Sequence, residues 1–289
     1  MQSKTSAMSR PPRRPSARER MAAERAARKR AEKRRRMLIA LGSVTAVVAI
    51  AAALVTFSLS RSPAHLTASE SVAPATVARQ VTSVPASALT QVSPGRVVTP
   101  LHPVTSSGPP LTVNGKPAIV FVSEESCPFC AAERWSLTVA LSHFGTWDHL
   151  GITSSAANDI FPNTATLSYR AAQYHSSQLT LQTTELTDNA GKPLQAATTL
   201  DRQVIGQYDV PPYVNSADQS GAVPFLDIGN RYILAGAQYD PQVLAGLSAT
   251  QIAADLRDPS SPVAQAIDGS ANVIIAAINQ VLHDQASQG

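Results

Sequence analysis

Cys127 and Cys130 enclose Pro128 and Phe129 and are the only cysteines in the 289-residue chain. The pair stands where an apolar run, Ala118-Ile119-Val120-Phe121-Val122, gives way to a segment of helical periodicity. Thiols in the first turn of a helix face backbone N–H groups that have no helical partner and the positive end of the helix dipole, and both favour thiolate. Cys127 is therefore expected to be the attacking sulfur. Cys130, one turn later on the same face, is spaced to attack a mixed disulfide on Cys127 and so release its partner. Pro128 forfeits an N–H that would have stayed unpaired, and Pro128 and Phe129 fill the positions that tune thiolate stability and hence redox potential.

Other chemistries fit this spacing less well. Structural zinc asks for three or four ordered ligands, and here no second cysteine pair exists while His143 and His149 are only loosely placed. An inert structural disulfide would close too small a loop to remove much chain entropy. No Gly-rich phosphate loop and no Ser, His and Asp set stands out, so neither a metal nor an organic cofactor is expected. Trp135 is expected in the core, and Tyr208 and Tyr213, around Pro211-Pro212, are expected to pack a loop.

A strand-to-helix dithiol points to an α/β protein of thioredoxin-like fold. In such folds a cis-proline opens the strand beside the dithiol, and Val223-Pro224-Phe225-Leu226-Asp227-Ile228 has that form. X-Pro bonds alone adopt cis cheaply, the alternative being a trans-proline at a strand start. The backbone of Val223 would then offer an edge to an extended client while Pro224 positions it. Gly229-Asn230 supports a turn into Arg231-Tyr232-Ile233-Leu234, giving a hairpin before the closing helices.

The stretch from Ser126 through Trp135 to Gly145, together with Pro224-Phe225-Leu226-Asp227-Ile228-Gly229-Asn230-Arg231-Tyr232, resembles the thioredoxin-like family called domain of unknown function 929, over roughly residues 110 to 285. The resemblance implies a membrane-tethered domain with a thiol–disulfide role, carried onto Cys127, Cys130 and Pro224. Relative to thioredoxin itself, the strand before the motif has no buried Asp. Glu124 or Glu125 would only partly stand in as proton acceptor near Cys130.

Met37 to Leu59 is 23 residues without a charge. At about 1.5 Å per residue such a helix spans the roughly 30 Å hydrocarbon core. Of the chain's 24 basic and 20 acidic residues, 14 and 3 lie in residues 1–36, which leaves 10 and 17 in the rest. The positive-inside rule then puts residues 1–36 in the cytoplasm and the dithiol on the oxidising, extracytoplasmic side of the cell membrane. A cleaved signal peptide is the competing reading, with Ala73-Pro74-Ala75 as a downstream small-residue site, and Lys33-Arg34-Arg35-Arg36-Met37-Leu38 weakly resembles a twin-arginine signal. The basic arm has no interleaved aromatics for stacking bases, which argues against nucleic acid.

Residues 60–110, with eight prolines, read as an unstructured linker. Residues 111–289 are then one thioredoxin-like domain with an enlarged insertion between the dithiol helix and the Pro224 strand. Within it the pattern predicts a hairpin at Asn114-Gly115 and a helix from Cys127 to about His143. Extended segments are expected at Leu167–Tyr169 and Leu179–Thr184, and a helix at Thr199–Tyr208. Further helices are expected at Pro241–Leu247, at Ala249–Leu256 behind Ser248, and at Ala271–Leu282 with Ser270 as N-cap. The expected function is thiol–disulfide exchange on exported proteins, with a possible membrane redox partner; the alternative is a non-catalytic scaffold with an inert disulfide.

Overall fold

The computed structural model describes residues 71–105, 108–214 and 222–287. The expected basic arm and membrane anchor lie outside them, and among the described residues no helix is long and apolar enough to cross a membrane.

The first described segment corrects the linker expectation. After a short strand β1 (Ser71–Val72) come helices α1 (Ala75–Thr82) and α2 (Ala86–Val92). Pro74 and Pro85 are the N-caps of these helices, so the prolines delimit helices instead of preventing them. Behind these two prolines, Val77, Val81, Val84, Ala88 and Leu89 recur at helical spacing and are buried in the main core. The folded region therefore begins by Ser71, well before residue 111.

Strands β2 (His102–Pro103), β3 (Thr112–Val113) and β4 (Lys116–Ser123) precede the dithiol helix α3 (Pro128–Leu141). Then follow β5 (Thr146–Asp148), β6 (Gly151–Ser154), β7 (Ala165–Ser168), β8 (Gln173–His175), β9 (Thr180–Glu185), α4 (Thr199–Tyr208), β10 (Phe225–Ile228) and β11 (Tyr232–Ala235). A 3₁₀ turn (Pro241–Leu244), α5 (Ala249–Asp255) and α6 (Pro262–Ala286) close the chain.

The main sheet runs β2-β11-β10-β4, with β3 and β9 both on the far side of β4. β9 is parallel to β4, pairing Ala118 with Thr180 through Ser123 with Glu185. β10 is antiparallel to β4 and β11 to β10. Alternation along β4 sends Ile119 and Phe121 into the core with α3 and α6, and Ala118, Val120 and Val122 into a smaller core under α4. The chain is thus an α/β protein with helices on both faces of a mixed sheet.

The insertion between α3 and β10 holds two small sheets, β5–β8 and β1–β6–β7. The second joins the insertion to the N-terminal segment.

The last helix corrects another expectation. It starts at Pro262, where the Ser261 side chain accepts from the Ala264 N–H at 2.9 Å, and it runs straight through Asp268-Gly269-Ser270. Gly269 is needed there because a Cβ would lie 2.7 Å from the Pro94 carbonyl oxygen; the bare backbone lets α6 pack against the chain leaving α2. The expected helix at Pro241–Leu247 is only the 3₁₀ turn, with a C-cap at Ala245.

Candidate functional site

β4 ends at Ser123, and after three intervening residues Cys127 is the N-cap of α3: its sulfur accepts from the Cys130 N–H at 3.4 Å. Pro128 occupies the first helical position. Both cysteines are free thiols, Cys127 half-buried and Cys130 buried. Val223–Pro224 is cis, and the Val223 carbonyl oxygen lies 3.7 Å from the Cys127 sulfur. The structure thus brings together Cys127, Cys130 and Val223, which are 96 residues apart at the widest.

The two sulfurs differ in kind. A hydrogen bond from the Cys130 thiol is the largest influence on Cys127 and holds it below the usual thiol range; burial opposes this, and the Cys130 and Phe129 N–H groups and the Arg134 charge assist it. Cys130 is pushed well above that range, first by burial and then by its bond to Cys127. The Glu124 N–H donates to the Cys130 sulfur at 3.4 Å.

Of the other expected residues, Phe129 is 37% exposed and meets Phe161 of the insertion edge-on at 5.8 Å. Glu124 presents its backbone to Cys130, while its carboxylate accepts from Ser126 at 3.3 Å. Glu125 is buried and accepts from Ser168 at 2.6 Å. Trp135 is in the core, donating to the Ala165 carbonyl at 3.0 Å.

Sequence reasoning missed the charged groups beneath the dithiol. Arg134 is fully buried and grips Glu185 of β9 with two bonds, Nε to Oε1 at 2.8 Å and Nη2 to Oε2 at 2.6 Å. Ser123 donates to the same carboxylate at 2.8 Å. On another side of α3 the Gln238 N–H donates to Glu133 at 3.0 Å, and burial pushes Glu133 up to about 8. Asp268 of α6 is also raised to about 8 by burial. The signal was present: Glu133-Arg134 are adjacent charges in a helix whose remaining faces read apolar, and charges there must find partners or neutralise.

Fold and site define an α/β protein with an asymmetric dithiol at a helix start. The chain belongs to the family described as Domain of unknown function (DUF929), whose sequence profile matches residues 102–280. Comparison with curated proteins and with solved structures gave no match.

Proposed function

We propose that this protein is a thiol–disulfide oxidoreductase with a thioredoxin-like core, anchored in the cell membrane by residues 37–59 and acting on exported proteins. The observation that carries the reading is the unlike character of the two sulfurs. Cys127 is partly accessible and inclined to thiolate, while Cys130 is buried and inclined to stay a thiol. Support for the thioredoxin-like core comes from the strand leading into the dithiol helix, the cis Val223–Pro224 bond opening the neighbouring strand, and the β10–β11 hairpin before the closing helices. Support for the membrane setting is the uncharged 23-residue segment and the charge asymmetry around it.

In the donating direction a client thiolate attacks Cys127 of the Cys127–Cys130 disulfide. That bond breaks, Cys130 leaves as thiolate, and a client–Cys127 disulfide forms. A second client thiolate then displaces Cys127, so the client loses two electrons and the protein dithiol holds them until a membrane oxidant removes them. Stabilising the Cys127 thiolate stabilises the reduced form and makes the disulfide oxidising, which favours oxidase or isomerase work over reduction. Val223 offers its carbonyl, and Pro224 the strand start, to an extended client.

The test is the reduction potential of the pair in the full chain, equilibrated against glutathione buffers. A value above about −200 mV is expected. A disulfide that stays closed in strongly reducing buffer refutes exchange and leaves a scaffold.

A further inference from the structure

We infer that Arg134, held by Glu185, is the positioning residue that stabilises the negative charge on Cys130 when this sulfur leaves or attacks. The inference rests on Cys127 and Cys130 being an exchanging pair, and it names a device absent from the motif.

Arg134 follows Cys130 by one helical turn, so the two side chains share a face of α3. The guanidinium is 0% exposed, and its fork is locked on Glu185 by the 2.8 and 2.6 Å bonds. Nη2 also lies 3.5 Å from the Ser123 hydroxyl. The next residue, Glu124, donates its N–H to Cys130. Arg134, Ser123 and the Cys130 sulfur are buried, and the half-buried Glu124 links Ser123 to that sulfur through its N–H. Nη1 has no partner among the described residues, which leaves a donor and part of the charge uncommitted.

A buried ion pair costs desolvation that its own attraction does little more than offset, so such a pair is weak as a stabilising device. A charge-forming sulfur beside it supplies a different use. Cys130 must become a thiolate in a site where burial disfavours any anion, and a fixed cation acts most strongly where water is excluded. The groups that act on this guanidinium are Glu185 from β9, Glu125 from the loop before α3, and Cys130 itself; Arg134 in turn acts on Cys127 and on Tyr169, which follows β7. Glu185 opposes part of the positive charge, which gives the two partners opposite effects on Cys130.

The experiment uses the reduced full chain and an aromatic disulfide reagent that releases a coloured thiolate. Attack by Cys127 releases the first equivalent, and resolution by Cys130 releases the second as the Cys127–Cys130 bond forms. In Arg134→Gln/Glu185→Gln the second phase is expected to slow about tenfold at neutral pH, and the midpoint of its pH profile to rise by about one pH unit, with the first phase much less affected. Glu185→Gln alone leaves Arg134 uncompensated and is expected to move the second phase the other way. A folded variant of either kind whose second-phase profile superimposes on the parent's overturns the inference; if the double variant is unfolded, the single one decides. A parent protein that releases only the first equivalent refutes exchange itself, and the role of Arg134 with it.

Discussion

Replacing Glu133 by Gln should stabilise the protein at alkaline pH and leave it nearly unchanged in acid. Glu133 is fully buried, accepts one N–H from Gln238 at 3.0 Å, and its other oxygen has no partner among the described residues. Burial raises its pKa from the usual 4.5 to about 8. Below pH 4.5 the carboxyl is protonated whether the chain is folded or not. Between 4.5 and about 8 the unfolded chain ionises it while the folded one cannot, so stability falls as pH rises and levels off above the folded value. Each tenfold displacement of the proton equilibrium is about 1.4 kcal/mol, so the rise from 4.5 to about 8 corresponds to on the order of 5 kcal/mol. Gln has the shape of the protonated acid, keeps an acceptor for Gln238 and does not titrate. Asp227, raised by burial to about 7, and Asp268, raised to about 8, act in the same direction. Both occur in parent and variant, so they largely cancel in the difference. Denaturant unfolding of the two proteins from pH 4 to 8.5 measures that difference. Parallel curves across the range would refute the assignment of Glu133 as a buried neutral acid.

Three further outcomes are expected. Cys130→Ala should raise the Cys127 pKa, because it removes the hydrogen bond from the Cys130 thiol, the largest influence holding it down. Thiolate absorbance against pH should show the higher midpoint, and the variant should accumulate mixed disulfides on Cys127 detectable by mass. Val81→Ala should cost about 2 kcal/mol by opening a cavity beneath α1, whereas no loss in thermal unfolding would mean that this segment is not part of the core. Gly95→Ala should destabilise by roughly 2 kcal/mol or more, because Gly95 has φ +54° and a Cβ there runs into the Gln265 carbonyl oxygen. Retention of the parent melting temperature would show that the chain after α2 does not dock on α6.

Local chemistry made much of the site legible. Pro128 after Cys127 marks the helix start, and Thr198 and Ser248 form capping boxes at the starts of α4 and α5, each within four residues. The hairpin at Gly229-Asn230 and the strand before the dithiol were equally visible as turn residues and an apolar run. Residues 75–92 carry a linker-like proline content over a helical Val77-Val81 spacing, and the spacing prevails because Pro74 and Pro85 stand at helix starts. Strands β5, β6 and β8, of 3 to 4 residues, carry too little periodicity to stand out before their partners are known.

By itself the sequence determined that two thiols share the first turn of a helix after a buried strand, since spacing, caps and periodicity act between near neighbours. Tertiary structure decided which sulfur is open to solvent and which is enclosed, because burial depends on segments that arrive from elsewhere. It also decided that Arg134 meets Glu185 across 51 positions, that Val223 faces Cys127 and that α1 and α2 cover the core. Charge pairing and desolvation are properties of what surrounds a group in space, and no spacing along the chain specifies that surrounding.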